Sequence, residues 1–198
     1  MERIVKKYLN VINHNEVGKG KLYNIERTSM GDDTIRSYLP NAKILSYPDL
    51  ATVAKIEDLL PQDKSYFCLL YLQQPNSGHW VLVYRDRDVI NFFCSYGSMP
   101  NTPLGWISKE QNEALGQGTP YLMNLFNASP LPVDVNKIDY QSNRNMDIAT
   151  CGRHDVFRLH TFLHDHLDMK EYYTLMKHLK ENSRMSYDEI VSDIINKI

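Results

Sequence analysis

The chain has 198 residues, of which 42% are hydrophobic and 23% are charged, and its formal net charge is -2. This composition excludes a disordered or low-complexity chain, because there are enough apolar residues to build a core. The near-neutral charge argues against the broad basic surface that holds proteins on nucleic acid, so the sequence carries no strong nucleic-acid signal, although local basic patches remain an option. We expect a single domain with a helical lead-in over residues 1–64, a sheet region over 65–140 and helices over 141–198.

The cysteine count indicates a reducing compartment. Cys68, Cys94 and Cys151 cannot all pair with one another, and none lies in a CxxC pattern. The first residues, MERIVKKYLNVINHNEV, lack the continuous apolar core of a signal peptide, and no stretch approaches the length of a membrane span. We therefore expect an intracellular protein without a membrane partner.

Three helices are predicted before residue 65, over residues 1–13, 32–38 and 49–60. The first shows apolar residues at helical spacing, and Gly18 and Gly20 are expected to stop it. The second and third each begin at an aspartate that can cap a helix and end before a proline. These segments read as packing helices.

From residue 65 the pattern changes to strands. YFCLLYL is a continuous apolar run, and HWVLVYR and VINFFCSYG follow it with a turn at residues 86–88 between them. Residues 97–120 read as a connecting segment with a helix-like stretch around WISKEQNEAL, and a further strand is plausible near VDVNKIDYQ. The predicted fold class is α+β, with a central, mostly antiparallel sheet flanked by helices.

Cys151 is the strongest candidate for a nucleophile. It stands after the polar segment SNRNMD and directly before the amphipathic run GRHDVFRLHTFL. The positive end of a helix beginning there would stabilise a thiolate. Cys68, by contrast, lies within YFCLLYL, where a small buried residue is expected.

Two more residues suit thiol chemistry. His79 follows a glycine at the start of a predicted strand, where an imidazole can project from rigid backbone and accept the thiol proton. Gln141, ten residues before Cys151, carries an amide that can donate to an oxyanion alongside the backbone N–H of the cysteine. Taken alone, each also fits a role without catalysis. His79 could be a hydrogen-bonding residue at a strand end, and Gln141 could be an ordinary polar residue of a loop.

Three histidines, His160, His164 and His166, raise a metal hypothesis because the first two share a helix face. The acidic residue of an HExxH motif is absent, and histidines on a helix near the surface are the commoner case. We predict no metal and no cofactor.

The run GHWVLVYRDRDVINFFCSYG, followed by Gln141 and then by TCGRH, resembles the adenovirus-type maturation proteases and, more distantly, the ubiquitin-like-protein-specific cysteine proteases. The upstream DDTIRSYLPNAKILSYPDLATVAKIEDLL resembles the lead-in of the versions carried by virophages and related DNA elements. The resemblance implies an inverted papain-like viral cysteine protease fold with the nucleophile at a helix N-terminus. It also implies a cysteine endopeptidase with Cys151 as nucleophile, His79 as base and Gln141 as oxyanion donor.

Substrates and partners are likewise implied by the resemblance. Members of the family cleave viral capsid or core precursor proteins during virion maturation, often at Gly-containing sites, and a peptide activator is an option. The location implied is the virion and the host-cell cytoplasm. We expect Trp80, Gly78 and Gly152 to line the substrate cleft, although Trp80 is equally compatible with a buried indole on a sheet face.

One position departs from the family pattern. Members carry Asp, Glu or Asn where this chain has Cys94, which thus takes the place of the group that orients the imidazole. A neutral thiol cannot stabilise an imidazolium as a carboxylate does. We favour a Cys-His dyad with water or backbone in the third position. The other accounts are a shifted strand that brings Asn91, Asp86 or Asp88 to the histidine, and a catalytically inactive binding module.

Two further hypotheses use the same residues. A deconjugating protease for ubiquitin-like modifiers would share the nucleophile, base and oxyanion donor. Cys94 also permits a redox-sensitive disulfide with Cys151 if the two sulfurs are close.

Overall fold

A computed structural model of the chain describes residues 1–13, 19–142 and 147–198. Over these ranges the fold is α+β, as predicted, and its helices and strands in chain order are α1 Glu2–Asn13, α2 Lys19–Arg27, α3 Asp32–Tyr38, β1 Lys43–Ser46, β2 Tyr66–Gln74, β3 Ser77–Asp86, β4 Val89–Phe93, α4 Lys109–Ala114, α5 Tyr121–Ala128, β5 Val133–Val135, α6 Cys151–Asp165, α7 Met169–Ser183 and α8 Tyr187–Ile195. They form two compact units, a helical unit of Met1–Tyr38 with Ile138–Ile198 and a sheet unit of Leu39–Lys137. That the chain is a single domain stays a prediction. The boundaries of the two units differ from those of the three sections expected from the sequence, 1–64, 65–140 and 141–198.

The sheet unit, all of which lies within the described residues, is built on a five-stranded mixed sheet in the order β1-β2-β3-β4-β5. β2, β3 and β4 pair antiparallel, whereas β1 and β5 pair parallel at the two edges. The predicted antiparallel arrangement is confirmed for the three central strands. Both edge strands are too short to show an alternating pattern, and β1 lies inside the expected helical lead-in.

One face of the sheet carries the core of this unit. Side chains alternate between the faces of a strand, so His79, Val81 and Val83 share one face of β3 and Trp80 lies on the other. Val81 and Val83 pack there in a cluster of buried residues that includes Tyr47, Leu50, Ile56, Leu60, Phe67, Leu69, Tyr71, Ile90, Phe92, Cys94, Leu122 and Phe126. The imidazole of His79 therefore projects from the end of a rigid, packed face.

The α-helix predicted over residues 49–60 is wrong. The chain instead forms two 3-10 segments, Tyr47–Thr52 and Ile56–Asp58, with extended backbone at Val53 and Lys55 around the break. The buried apolar residues of both segments belong to the core of the sheet. A broken segment allows both short turns to lie against that core, which a continuous straight helix would not.

In the helical unit, α1 and α3 confirm the helices predicted over residues 1–13 and 32–38. Gly18 lies outside the described residues. Gly20 lies inside α2, so the expectation that it stops helix formation is wrong. The chain after residue 150 is helical, as predicted, and α6 is buried along most of its length. No helix in the described ranges is both long and apolar enough to cross a membrane.

Position 78 requires a glycine because β2 approaches β3 closely at this point. A Cβ placed on Gly78 would lie 1.8 Å from the carbonyl oxygen of Tyr71, far inside van der Waals contact. The same approach pairs the next residue, His79, with Tyr71. A role of Gly78 in the substrate cleft stays a prediction, whereas its packing role follows directly from the strand pairing.

We predict that Gly78→Ala lowers the free energy of unfolding by about 3 kcal/mol, because the added methyl group meets backbone rather than a movable side chain. Gly105→Ala is the matched control in the same unit, since a Cβ there meets nothing within 4 Å. Urea unfolding followed by circular dichroism measures both. Equal stability of the two variants would contradict the packing role.

Candidate active site

His79 lies at the start of β3 and is 4% exposed. Its Nε2 lies 3.3 Å from the Sγ of Cys94, the residue that directly follows β4. The register of β3 and β4 sets this contact. Leu82 pairs with Phe93 in antiparallel strands, so Cys94, the next residue, lies on the side of Leu82 that is nearer to His79. The structure therefore brings together two of the predicted site residues within the sheet unit.

The three polar residues proposed to replace the missing acid, Asn91, Asp86 and Asp88, do not reach the imidazole. Asn91 pairs with Tyr84, five residues along β3 from His79. At the rise of an extended strand this is about 16 Å. The two aspartates lie further along still, so the shifted-strand account is wrong. The thiol of Cys94 lies beside Nε2 instead.

Two aromatic rings that were not predicted as site residues lie against the imidazole. Tyr96 stacks on His79 with ring centroids 5.0 Å apart and an interplanar angle of 30°. Trp106 approaches the same ring edge-on, at 5.0 Å and 69°, and contacts Tyr96 at 5.6 Å. Trp106 is 38% exposed, so it presents a large apolar surface beside the candidate base. Tyr96 stands only two residues after Cys94 in FCSYG, which is the one hint that the sequence offered.

Trp80 lies apart from this cluster. It is 4% exposed, and strand alternation directs it to the sheet face opposite His79. This is the buried sheet-face indole that the sequence had left open as an alternative to a substrate contact.

Cys151 is the first residue of α6, which confirms the expected helix N-terminus. The residue is 8% exposed, and Gly152, the second residue of the helix, is buried. The backbone N–H groups of a first turn carry the positive end of the helix dipole and favour a thiolate. Arg153 lies close enough for its charge to interact with the sulfur, although burial lowers the pKa of this guanidinium. The helix start and the charge of Arg153 both act in favour of a thiolate at this position, whereas burial of the residue acts against it.

Gln141 lies in the helical unit with Cys151 and is 2% exposed. Its Nε2 donates a hydrogen bond to the carbonyl oxygen of Ile148, at 3.2 Å, three residues before the nucleophile. A carboxamide has a second hydrogen to donate, as an oxyanion would require. Residues 143–146 of the predicted polar segment lie outside the described residues.

A buried carboxylate contacts Thr150, the residue before Cys151. Asp188 of α8 is 2% exposed, and its Oδ1 accepts a hydrogen bond from the Thr150 hydroxyl at 2.5 Å and lies 3.1 Å from Nε2 of His154. Its Oδ2 accepts from the backbone N–H of Ser142 at 2.9 Å. Burial raises the pKa of Asp188, but the hydrogen bond and charge of His154 and the two other hydrogen bonds outweigh burial and hold the pKa below its usual value. Asp188 is far from Cys151 in sequence and matches no motif.

The two pairs of site residues thus belong to different units, His79 with Cys94 to the sheet unit and Cys151 with Gln141 to the helical unit. All three cysteines of the chain are buried thiols. Each unit builds its own pair: one supplies an oriented imidazole, and the other supplies a thiol at a helix start with a nearby amide.

Of the three histidines in the metal hypothesis, His160 and His164 of α6 form a pair, and His166 directly follows the helix. The rings of His160 and His164 lie 4.6 Å apart. The neighbouring Asp165 is engaged by Lys7 and by the hydroxyl of Tyr8. Across residues 1–13, 19–142 and 147–198, no three His, Cys, Asp or Glu side chains gather in a way that could hold a metal ion.

Comparison with known proteins finds a relative in a virophage. The chain is 33% identical over 171 residues to a protein of Sputnik virophage named "Uncharacterized protein V9", and the match spans 85% of this chain and 95% of that protein. No protein-family model matches the chain, and no solved structure matches it significantly. The resemblance to the adenovirus-type proteases therefore stays a prediction.

Proposed function

We propose that this chain, which belongs to the family of Sputnik virophage protein V9, is a cysteine endopeptidase that cleaves capsid or core precursor proteins during virion maturation. The observation that carries the proposal is the thiol of Cys151 at the first residue of a buried helix. An imidazole held by a thiol and two aromatic rings supports it. We assign the fold to the inverted papain-like viral cysteine proteases, with which a mixed sheet and a helix-borne thiol are compatible. The virophage relative supports a viral setting.

The proposed reaction uses Nδ1 of His79 as the base. Because Nε2 faces the sulfur of Cys94, Nδ1 is the atom that takes the proton from Cys151. The mechanism requires this nitrogen and the Cys151 sulfur to meet. The thiolate then attacks the carbonyl carbon of the scissile bond, and the oxygen that becomes negative is stabilised by the Gln141 amide and the backbone N–H of Cys151.

The rest of the cycle returns each group to its starting state. The imidazolium gives its proton to the leaving amine nitrogen as the peptide bond breaks, which leaves a thioester on Cys151. Water then attacks the thioester carbon while His79 takes a proton from it. The acid product leaves, and the proton returns to the sulfur.

In this mechanism Cys94 occupies the third position that the sequence had assigned to water or backbone. Its sulfur is fully buried, and the rings of Tyr96 and Trp106 lie against the imidazole that it contacts. A hydrogen bond in such a dry environment is stronger than one in water. The sulfur therefore orients the imidazole, while stabilising an imidazolium less than a carboxylate would.

We predict that Cys151→Ala abolishes cleavage of the capsid precursor encoded with this protein, because no other group replaces the attacking sulfur. Gel electrophoresis and mass spectrometry of the products give the cleavage site. An unchanged far-UV circular dichroism spectrum verifies that the variant is folded. Cleavage by the variant at the wild-type rate would remove Cys151 from the mechanism, and turnover of ubiquitin-like conjugates alone would favour the deconjugating alternative.

A second prediction concerns the thiol beside the base. Cys94→Ala should lower kcat/KM by about 10-fold or more on a fluorogenic peptide spanning that cleavage site, because the imidazole loses its orienting partner. Cys68→Ala is the matched control, since it removes the same atom from another fully buried cysteine of the sheet unit. Equal rates for the two variants would show that the Cys94 sulfur does not orient His79.

A further inference from the structure

Asp188 contacts both ends of the segment that joins Gln141 to Cys151. One carboxylate oxygen accepts from the backbone N–H of Ser142, the residue after Gln141. The other accepts from the hydroxyl of Thr150, the residue before Cys151. A single rigid group therefore sets the spacing between the candidate oxyanion donor and the candidate nucleophile.

The carboxylate also holds the helix that carries the nucleophile. His154 lies one turn into α6, with its backbone N–H bonded to the Thr150 carbonyl at 3.0 Å and its ring bonded to Asp188. The ring is fully buried, and this pair is an ion pair whenever the imidazole is protonated. Hydrogen bonds to an ionised carboxylate are shorter and stronger than neutral ones. The first turn of α6 is thus anchored to α8 at two points.

Thr150 supplies an independent observation. A threonine at the position before a helix usually turns its hydroxyl back to accept a hydrogen bond from an N–H of the first turn. Thr150 makes no such bond, and its hydroxyl donates to Asp188 instead. The hydroxyl therefore does not occupy the N–H groups beside Cys151, where an oxyanion would need donors.

We propose that Asp188 is the positioning residue of the oxyanion site. It sets Gln141 relative to Cys151 and draws the Thr150 hydroxyl away from the first-turn N–H groups. This role rests on the proposed function. It acts on the step that creates a negative oxygen and leaves the intrinsic reactivity of the thiol unchanged.

The test compares Asp188→Asn with Asp193→Asn in the full chain. Asp193 lies on the same helix, is 3% exposed and pairs with Lys197 at 2.7 Å, so its substitution also removes a buried carboxylate. Two rates are measured for each variant: hydrolysis of the fluorogenic peptide that spans the capsid cleavage site, and alkylation of Cys151 by iodoacetamide. Alkylation needs the thiolate but creates no oxyanion, so it separates the two effects.

For Asp188→Asn we expect kcat to fall by about 100-fold, the cost of losing an oxyanion donor, with KM and the alkylation rate close to wild type. Asp193→Asn should leave kcat close to wild type. If Asp188→Asn does not fold, Thr150→Val removes one donor to the carboxylate with little change of volume. It should lower kcat selectively but by less than Asp188→Asn, because the bond to Ser142 remains and no hydroxyl is left to cap the first-turn N–H groups.

Three results would overturn the assignment. A wild-type kcat in Asp188→Asn shows that the carboxylate positions nothing that the reaction uses. A parallel loss of kcat and alkylation shows a general structural role instead. A wild-type protein that does not hydrolyse the peptide overturns the proposed function itself, and this result differs from the first two because it appears without any substitution.

Discussion

The contact between Nε2 of His79 and the sulfur of Cys94, at 3.3 Å, decides what the sheet unit can contribute to chemistry. It engages one imidazole nitrogen, and the proposed mechanism therefore uses the other as the base. The contact depends on strand register, because a shift of β4 by one residue would turn Cys94 to the opposite face. Register in turn depends on the packed face of the sheet and on Gly78, which lets β2 approach β3 closely. The packing of the core therefore also determines how the candidate base is oriented.

In the helical unit, the first turn of α6 has to be held in place beside Cys151. The N–H groups at a helix start can donate to an oxyanion only if the first turn is held in place and a cap does not consume these groups. Asp188 satisfies both conditions, since it anchors Thr150 and His154 and draws the threonine hydroxyl outward. Burying a carboxylate is costly in itself, and the three hydrogen bonds offset that cost.

Sequence alone predicted the elements whose pattern is long and regular. The alternation of β3, the apolar run of β2 and the periodicity of α1 were sufficient for those three. The pattern over residues 49–60 misled because i and i+3 spacing suits a 3-10 turn as well as an α-helix. For the site, Cys151 and His79 have local signals, a helix start and a glycine before a strand. Trp106 and Asp188 have none, because their roles arise only when distant segments fold together.

The proposed function requires that the thiol of Cys151 and the imidazole of His79 act as one ionisable pair. The most direct measurement is the rate of Cys151 alkylation as a function of pH, in wild type and in His79→Ala. The account predicts that the wild-type rate stays high well below the usual thiol pKa of about 8.5 and that His79→Ala is slower there by about 10-fold or more. Superimposable profiles for the two proteins would contradict it.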